Sequence, residues 1–364
     1  MSDLTKAYLL LEDGTFFEGK SLGAKGTTTG EICFNTGMTG YQEVFSDPSY
    51  SGQIIIMTSP HIGNYGANSL DVESNTPKIN GLICKKFSLK YSRVQAEDSL
   101  QNYLEDNGVV GITDIDTRSM VSYIRNKGAM NCIISTEFDT IETLKTELAK
   151  APNMDGLELA SIVSTKEVYD LGNENSKFKV AVLDFGVKQN ILNCLVDRDC
   201  FVKVFPAKTS FEELKKFAPD GYFLSNGPGD PGVATYAVKT VKEIINSNTP
   251  TFGICFGHQI IALANNISTY KMHHGHRGLN HPILNLETGL CEITSQNHGF
   301  GISKEDLDRN ENVIATHRNL NDNTIEGIRM KNKNVFSVQY HPESSPGPHD
   351  SRYLFDNFIN LMSK

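Results

Sequence analysis

Apolar positions along this chain follow two regimes. In the first 150 residues, short apolar runs come early and helical spacing comes late. Ala7-Tyr8-Leu9-Leu10-Leu11 and Thr15-Phe16-Phe17 flank Glu12-Asp13-Gly14, which predicts a β-hairpin turning at Asp-Gly. Further strands are expected at 31–35, 53–57 and 79–87, between turn-rich loops at 36–40, 46–52 and 60–66. Leu100, Tyr103 and Leu104 have helical spacing within 96–106. Asp114 is expected to cap a helix ended by Gly128, and Thr140 to Lys150 reads as another helix. Residues 1–150 thus predict a mixed β/α domain. Residues 151–177 carry no strong period and end in the polar run Asn173 to Lys177, which reads as a linker.

From Phe178 the pattern changes to strict alternation. Strands are expected at 179–183, 201–205, 221–225, 250–254 and 335–339, with helices at 188–197, 210–217, 233–245, after Cys255, and from Asp350 to Leu361. This predicts an α/β fold for 178–364, a mainly parallel sheet flanked by helices. Such sheets bind ligands where strands end. Three unusual segments leave strands in that way: Asn226-Gly227-Pro228-Gly229-Asp230-Pro231, the turn at Cys255, and His341-Pro342-Glu343.

Composition narrows the class without choosing the chemistry. The 364 residues are 39% hydrophobic and 21% charged, ordinary values for a globular protein. A net charge of −9 argues against a nucleic-acid surface. The seven cysteines are odd in number, scattered and free of Cys-x-x-Cys pairs, so a reducing, cytoplasmic setting is expected. Met1 to Lys6 is polar and lacks a signal peptide's apolar core, and no run of 18 apolar residues predicts a membrane span. His273, His274, His276 and His281 crowd together, but no Cys or carboxylate lies within the run and its spacing fits no closed zinc site, so no metal is expected.

The candidate chemistry centres on Gly253-Ile254-Cys255-Phe256-Gly257-His258-Gln259. A nucleophile between glycines, at a strand-to-helix turn, has the form of a nucleophile elbow with sulfur in place of hydroxyl. The helix that follows aims its N-terminal dipole at the sulfur, where it favours an anion. A buried structural cysteine is the competing reading. His341 and Glu343 are two apart, so an extended chain sends both to one side, where a carboxylate can hold the imidazole tautomer. A His-Pro-Glu turn alone is commonly a capped loop, and Gly-Pro-Gly alone is a turn. Acyl transfer also needs two oxyanion donors; the N–H of Phe256 and that of Gly227 are the candidates.

Together these segments resemble the class I (Cys-His-Glu) glutamine amidotransferases. Asp184-Phe185-Gly186-Val187-Lys188-Gln189-Asn190, Gln296-Asn297-His298-Gly299-Phe300 and Ser345-Pro346-Gly347-Pro348-His349-Asp350 look like the small-chain family of carbamoyl-phosphate synthase. So do Phe34 to Glu43, Asp47-Pro48-Ser49-Tyr50 and Pro60 to Asn64 in the first domain. The resemblance implies that Cys255 attacks the side-chain amide of L-glutamine, with His341 as base and acid and Glu343 as its orienter. It implies that glutamine is held by Ser49, Gly227, Gly229, Phe256, Gln259, Asn297, Gly299 and Phe300. It also implies a large-subunit partner that receives ammonia, with ATP and Mg on that partner and no cofactor in this chain. An amidotransferase serving another synthetase is disfavoured by the first-domain motifs, and a silent docking subunit by the intact Cys255, His341 and Glu343.

Overall fold

The computed structural model describes residues 5–138 and 140–363; the polar start Met1 to Leu4 lies outside the described residues. The chain divides into two compact units, Met1–Met154 and Asp155–Lys364. Among the described residues no helix is long and apolar enough to cross a membrane.

The first unit is built on a closed barrel. Its strands run, neighbour to neighbour, Lys6–Leu11, Phe16–Gly23, Val110–Thr113, Gly81–Ile83, Gln53–Met57, Thr27–Asn35 and Asn131–Ser135, and the last pairs with the first. The expected hairpin forms, with Leu9 opposite Phe17 and Gly14 at φ +90° in its turn. The continuous run Ile54-Ile55-Ile56-Met57 is buried on both faces. Ile54 and Ile56 join the core containing Met120 and Ile124, while Ile55 and Met57 join the one containing Phe45 and Leu104. Two covered faces explain why this strand does not alternate with polar residues.

Two details differ from expectation. The helix Thr117–Lys127 is capped by Asp116, whose Oδ1 accepts from Ser119 N at 3.1 Å, and not by Asp114. The strand runs to Thr113, so Asp114 at φ +64° and buried Ile115 are consumed in the turn between them. Between the expected loops at 36–40 and 46–52 the chain forms a helix, Tyr41–Ser46, and the second loop holds a 3-10 turn, Pro48–Tyr50.

The second unit carries a ten-stranded sheet flanked by helices. Its centre is parallel: Cys200–Pro206, Phe178–Asp184, Gly221–Leu224, Thr251–Ile254 and Val335–Val338 are neighbours in that order. Beyond Val335–Val338 the sheet continues antiparallel through Ile325–Met330, Val313–Asn319, Thr269–Asn285 and Cys291–Ile302. That half had no clear sequence signal, because bulges shift its register between Lys271 and His276 and between Gly278 and His281. Residues 155–177, within the expected linker, belong to the second unit. They form the helix Ala160–Val163 and the edge strand Tyr169–Leu171, antiparallel to Cys200–Pro206. Tyr169 and Asp170 are exposed, so backbone pairing holds this strand and no apolar period marks it. The last helix is Tyr353–Met362; Asp350 precedes it and accepts instead from Ile293 N at 3.1 Å.

Candidate active site

Close packing forces the turn at Cys255. The strand Thr251–Ile254 ends and the helix Phe256–Ala264 begins with one residue between them, Cys255, at φ 52° and ψ −101°. This is a costly backbone for a residue with a Cβ, by roughly 1–3 kcal/mol. Two backbone bonds and two close approaches hold it. Cys255 N donates to Val338 O at 2.9 Å, and Gln259 N donates to Cys255 O at 3.1 Å. At Gly257 a Cβ would lie 2.3 Å from Leu224 O, and at Gly253 one would lie 2.7 Å from Ile261 Cδ1. The glycines therefore let the helix sit against the sheet, which presents Cys255 at the strand's carboxyl end. The N–H of Phe256 opens the helix and has no acceptor within it.

His341 leaves the neighbouring strand Val335–Val338. Its backbone N–H donates to Ser295 O at 2.9 Å, which ties it to the strand Cys291–Ile302. Its ring Nδ1 lies 2.7 Å from Glu343 Oε1. Cys255, His341 and Glu343 are 2%, 2% and 0% exposed, so this chemistry is screened from bulk water. Burial alone would lower the proton affinity of His341; the Glu343 charge and the contact with the Cys255 thiol outweigh it and raise it. Nδ1 being engaged by Glu343, the thiol contact falls to Nε2, which among the described residues makes no well-aligned hydrogen bond. The thiol itself donates to Asn297 O at 3.6 Å. The sequence-predicted triad thus converges.

Sequence reasoning gave no role to Lys188. Its ammonium lies 3.1 Å from Glu343 Oε1 and donates to Ser344 O at 2.7 Å, at 3% exposure. Asn190 Nδ2 adds a bond to Glu343 O at 2.7 Å. Burial would raise the Glu343 carboxyl; the Lys188 charge, and then His341, hold it below its ordinary value. The only signal was the run Asp184 to Asn190, and nothing in it marks a lysine as buried.

The other sequence-predicted residues fall as follows. Phe256 is buried, its ring 5.2 Å from Phe185. The loop after Gly221–Leu224 packs closely on Phe185: a Cβ on Gly227 would lie 2.3 Å from Phe185 O. Gly229, at φ +89°, bridges to Glu158. Gln259 donates from Nε2 to Phe300 O at 2.9 Å and to Gln339 Oε1 at 3.1 Å, so it joins the two chain segments that carry Asn297 and His341. Asn297, Gly299 and Phe300 lie on Cys291–Ile302, and Gly299 leaves room for Arg277, whose Nη2 would be 3.1 Å from a Cβ there. Ser49 lies in the first unit, its N–H donating to Asp47 Oδ1 at 2.9 Å. Tyr340, before His341, is fully buried in the core with its ring 5.6 Å from His317.

The four crowded histidines do not gather as a set. Among the described residues, the ligand-type group that comes together is His276, His298 and Glu326, with atoms within 4.8 Å of one another. His298 has both ring nitrogens engaged, at 2.9 Å from Phe300 O and from Gln296 Oε1.

The matches to known proteins run through both units. A family model described as carbamoyl-phosphate synthase small chain, CPSase domain, matches residues 9–134, and one described as glutamine amidotransferase class-I matches 181–361. The chain is 48% identical over 360 residues to the carbamoyl phosphate synthase small chain of Chlorobaculum tepidum, covering 98% of each. It is 47% identical over 374 residues to that of Vibrio cholerae and 48% identical over 374 to that of Vibrio parahaemolyticus, again covering 98% of each. With similarity along almost its whole length, and with the cysteine, imidazole and carboxylate assembled at the strand ends, the chain belongs to the carbamoyl phosphate synthase small-chain family, and its second unit is a class I glutamine amidotransferase domain.

Proposed function

We propose that this chain hydrolyses L-glutamine to glutamate and ammonia through a thioester on Cys255. It then delivers the ammonia to a large subunit, which uses bicarbonate and two ATP to make carbamoyl phosphate for arginine and pyrimidine synthesis. The observation that carries the reading is the buried Cys255–His341–Glu343 constellation. His341 accepts the thiol proton as sulfur adds to the amide carbonyl. The N–H groups of Phe256 and Gly227 stabilise the oxyanion. His341 returns the proton to the leaving nitrogen, and ammonia departs. Water, deprotonated by the same ring, then attacks the thioester, releasing glutamate and restoring the thiol. Glu343 keeps Nδ1 protonated throughout, so that Nε2 carries the transfers.

The glutamine contacts in the second unit are Gly227, Gly229, Phe256, Gln259, Asn297, Gly299 and Phe300, and the first unit docks the large subunit. ATP and Mg act on the large subunit, this chain needs no metal or cofactor of its own, and the complex works in the cytoplasm. The test is Cys255→Ser in the complex with the large subunit. Glutamine-driven synthesis of carbamoyl phosphate disappears while synthesis from added ammonia persists. Loss of both would assign Cys255 a structural role and overturn the reading.

A further inference from the structure

A buried ionic cluster lies on the antiparallel half of the sheet. His276 is 5% exposed, and its Nε2 lies 2.7 Å from Asp322 Oδ2 and its Nδ1 3.3 Å from Glu326 Oε1. Glu326 is fully buried and also accepts from Asn319 Nδ2 at 3.0 Å and Gln296 Nε2 at 3.1 Å. Gln296 Oε1 in turn lies 2.9 Å from His298 Nε2, and His298 Nδ1 lies 2.9 Å from Phe300 O. The chain of contacts therefore runs from Asp322 through His276, Glu326, Gln296 and His298 to Phe300. Phe300 O also receives Gln259 from the helix that begins at the nucleophile.

The geometry has a simple origin. Successive side chains of a strand point to opposite faces. Gln296 and His298 both turn toward the cluster, which leaves the Asn297 side chain for the other face, while the backbone carbonyl of Asn297 accepts from the Cys255 thiol. His276 reaches beneath His298 because the register bulges just before it, where Gly275 takes φ +70°. These contacts tie the stretch 296–300 to His276 and Glu326 on neighbouring strands, and breaking such a buried network is costly.

The geometry points to His276 as a positioning residue: held between Asp322 and Glu326, it fixes the stretch Gln296 to Phe300 at the height that glutamine binding requires. This rests on the glutaminase reading and deepens it, because His276 touches no reacting atom and acts through Gln296 and His298. Its charge is part of the device. Burial would lower the His276 pKa, but the bonds to Asp322 and Glu326 raise it to about 9. His281 on its own strand and His298 on the neighbouring strand face it as well, and both are pushed down, first by burial and then by the His276 charge. Arg277, next to His276 on the strand, also lowers His298, and His274 adds to the lowering of His281. The cation is thus present through neutral pH and lost as pH rises through about 9.

The experiment is steady-state kinetics on the complex with the large subunit, comparing wild type, His276→Gln and Asp322→Asn. At neutral pH His276→Gln raises KM for glutamine about ten-fold, the scale of one lost charge-assisted hydrogen bond. Asp322→Asn, at a half-exposed side chain that leaves the core intact, gives a smaller rise in the same direction. In both, kcat with glutamine and synthesis from ammonia stay at wild-type values. Above pH about 9 the KM values of wild type and His276→Gln converge, because wild type then loses the His276 charge, while glutamine's own amine titrates equally for each and cancels. A KM equal to wild type in both variants, or a fall in kcat with KM unchanged, overturns the proposal. A wild-type complex that shows no saturation by glutamine removes the glutaminase reading itself, and the two failures are thereby told apart.

Discussion

Replacing Lys188 by Met tests whether Glu343 is held by a buried counter-charge. Met keeps the length and apolar stem of the lysine and deletes its ammonium. In the native chain that ammonium lies 3.1 Å from Glu343 Oε1, with the two side chains 4% and 0% exposed. Leaving one member of such a pair buried and alone costs about 3–5 kcal/mol. The bond from Nζ to Ser344 O is lost with it, while the desolvation that the lysine suffered is relieved. We expect a net loss of about 3 kcal/mol in folding stability, read by urea unfolding. Glu343→Gln alone should cost a similar amount, because it strands the ammonium. In the double variant neither charge remains, so the two losses should fall short of additive by about 2 kcal/mol.

The pH dependence has a definite sign. The Glu343 carboxyl sits below its ordinary value of 4.5 in the folded chain. Its contribution is therefore complete above that value and is lost as pH falls through the lower, folded value. The stability gap between wild type and Lys188→Met should narrow on acidification below 4.5. Both single variants should slow glutamine-driven synthesis and spare ammonia-driven synthesis, because only the orientation of His341 is disturbed. Full additivity of the two substitutions, to within about 0.5 kcal/mol, would refute the reasoning, as would a gap that does not change with acid.

Two further substitutions probe the scaffold. Gly257→Ala places a Cβ 2.3 Å from Leu224 O, an immobile backbone atom, so the helix must shift; we expect a loss of about 2 kcal/mol or more and a marked fall in glutamine turnover, measured by thermal unfolding and glutamate release. Tyr340→Phe deletes a fully buried hydroxyl that among the described residues has no hydrogen-bond partner; stability should be unchanged or improved by about 1 kcal/mol, and a loss of that size in calorimetry would reveal a bound partner.

The residues of the candidate triad and the alternating half of the fold were legible along the chain. Gly253, Cys255 and Gly257 could be read because their spacing is a local requirement of one tight turn. His341 and Glu343 could be read because a two-residue interval fixes their common side. The parallel strands were visible for the same reason: fully buried strands are apolar runs, and the helices between them keep one periodic face. Tertiary structure alone decided the rest, because it depends on partners distant in the chain. Asp116 rather than Asp114 caps its helix because the preceding strand runs to Thr113. The edge strand Tyr169–Leu171 exists through backbone pairing that leaves no mark on its side chains. The antiparallel half of the sheet, bulged and rich in buried polar residues, has no simple period. Lys188, at the start of the helix Gln189–Val196, and His276, on the antiparallel half, were equally beyond the sequence. Each is a cation whose burial is tolerated only because carboxylates from elsewhere in the fold, Glu343 for one and Asp322 with Glu326 for the other, arrive to meet it.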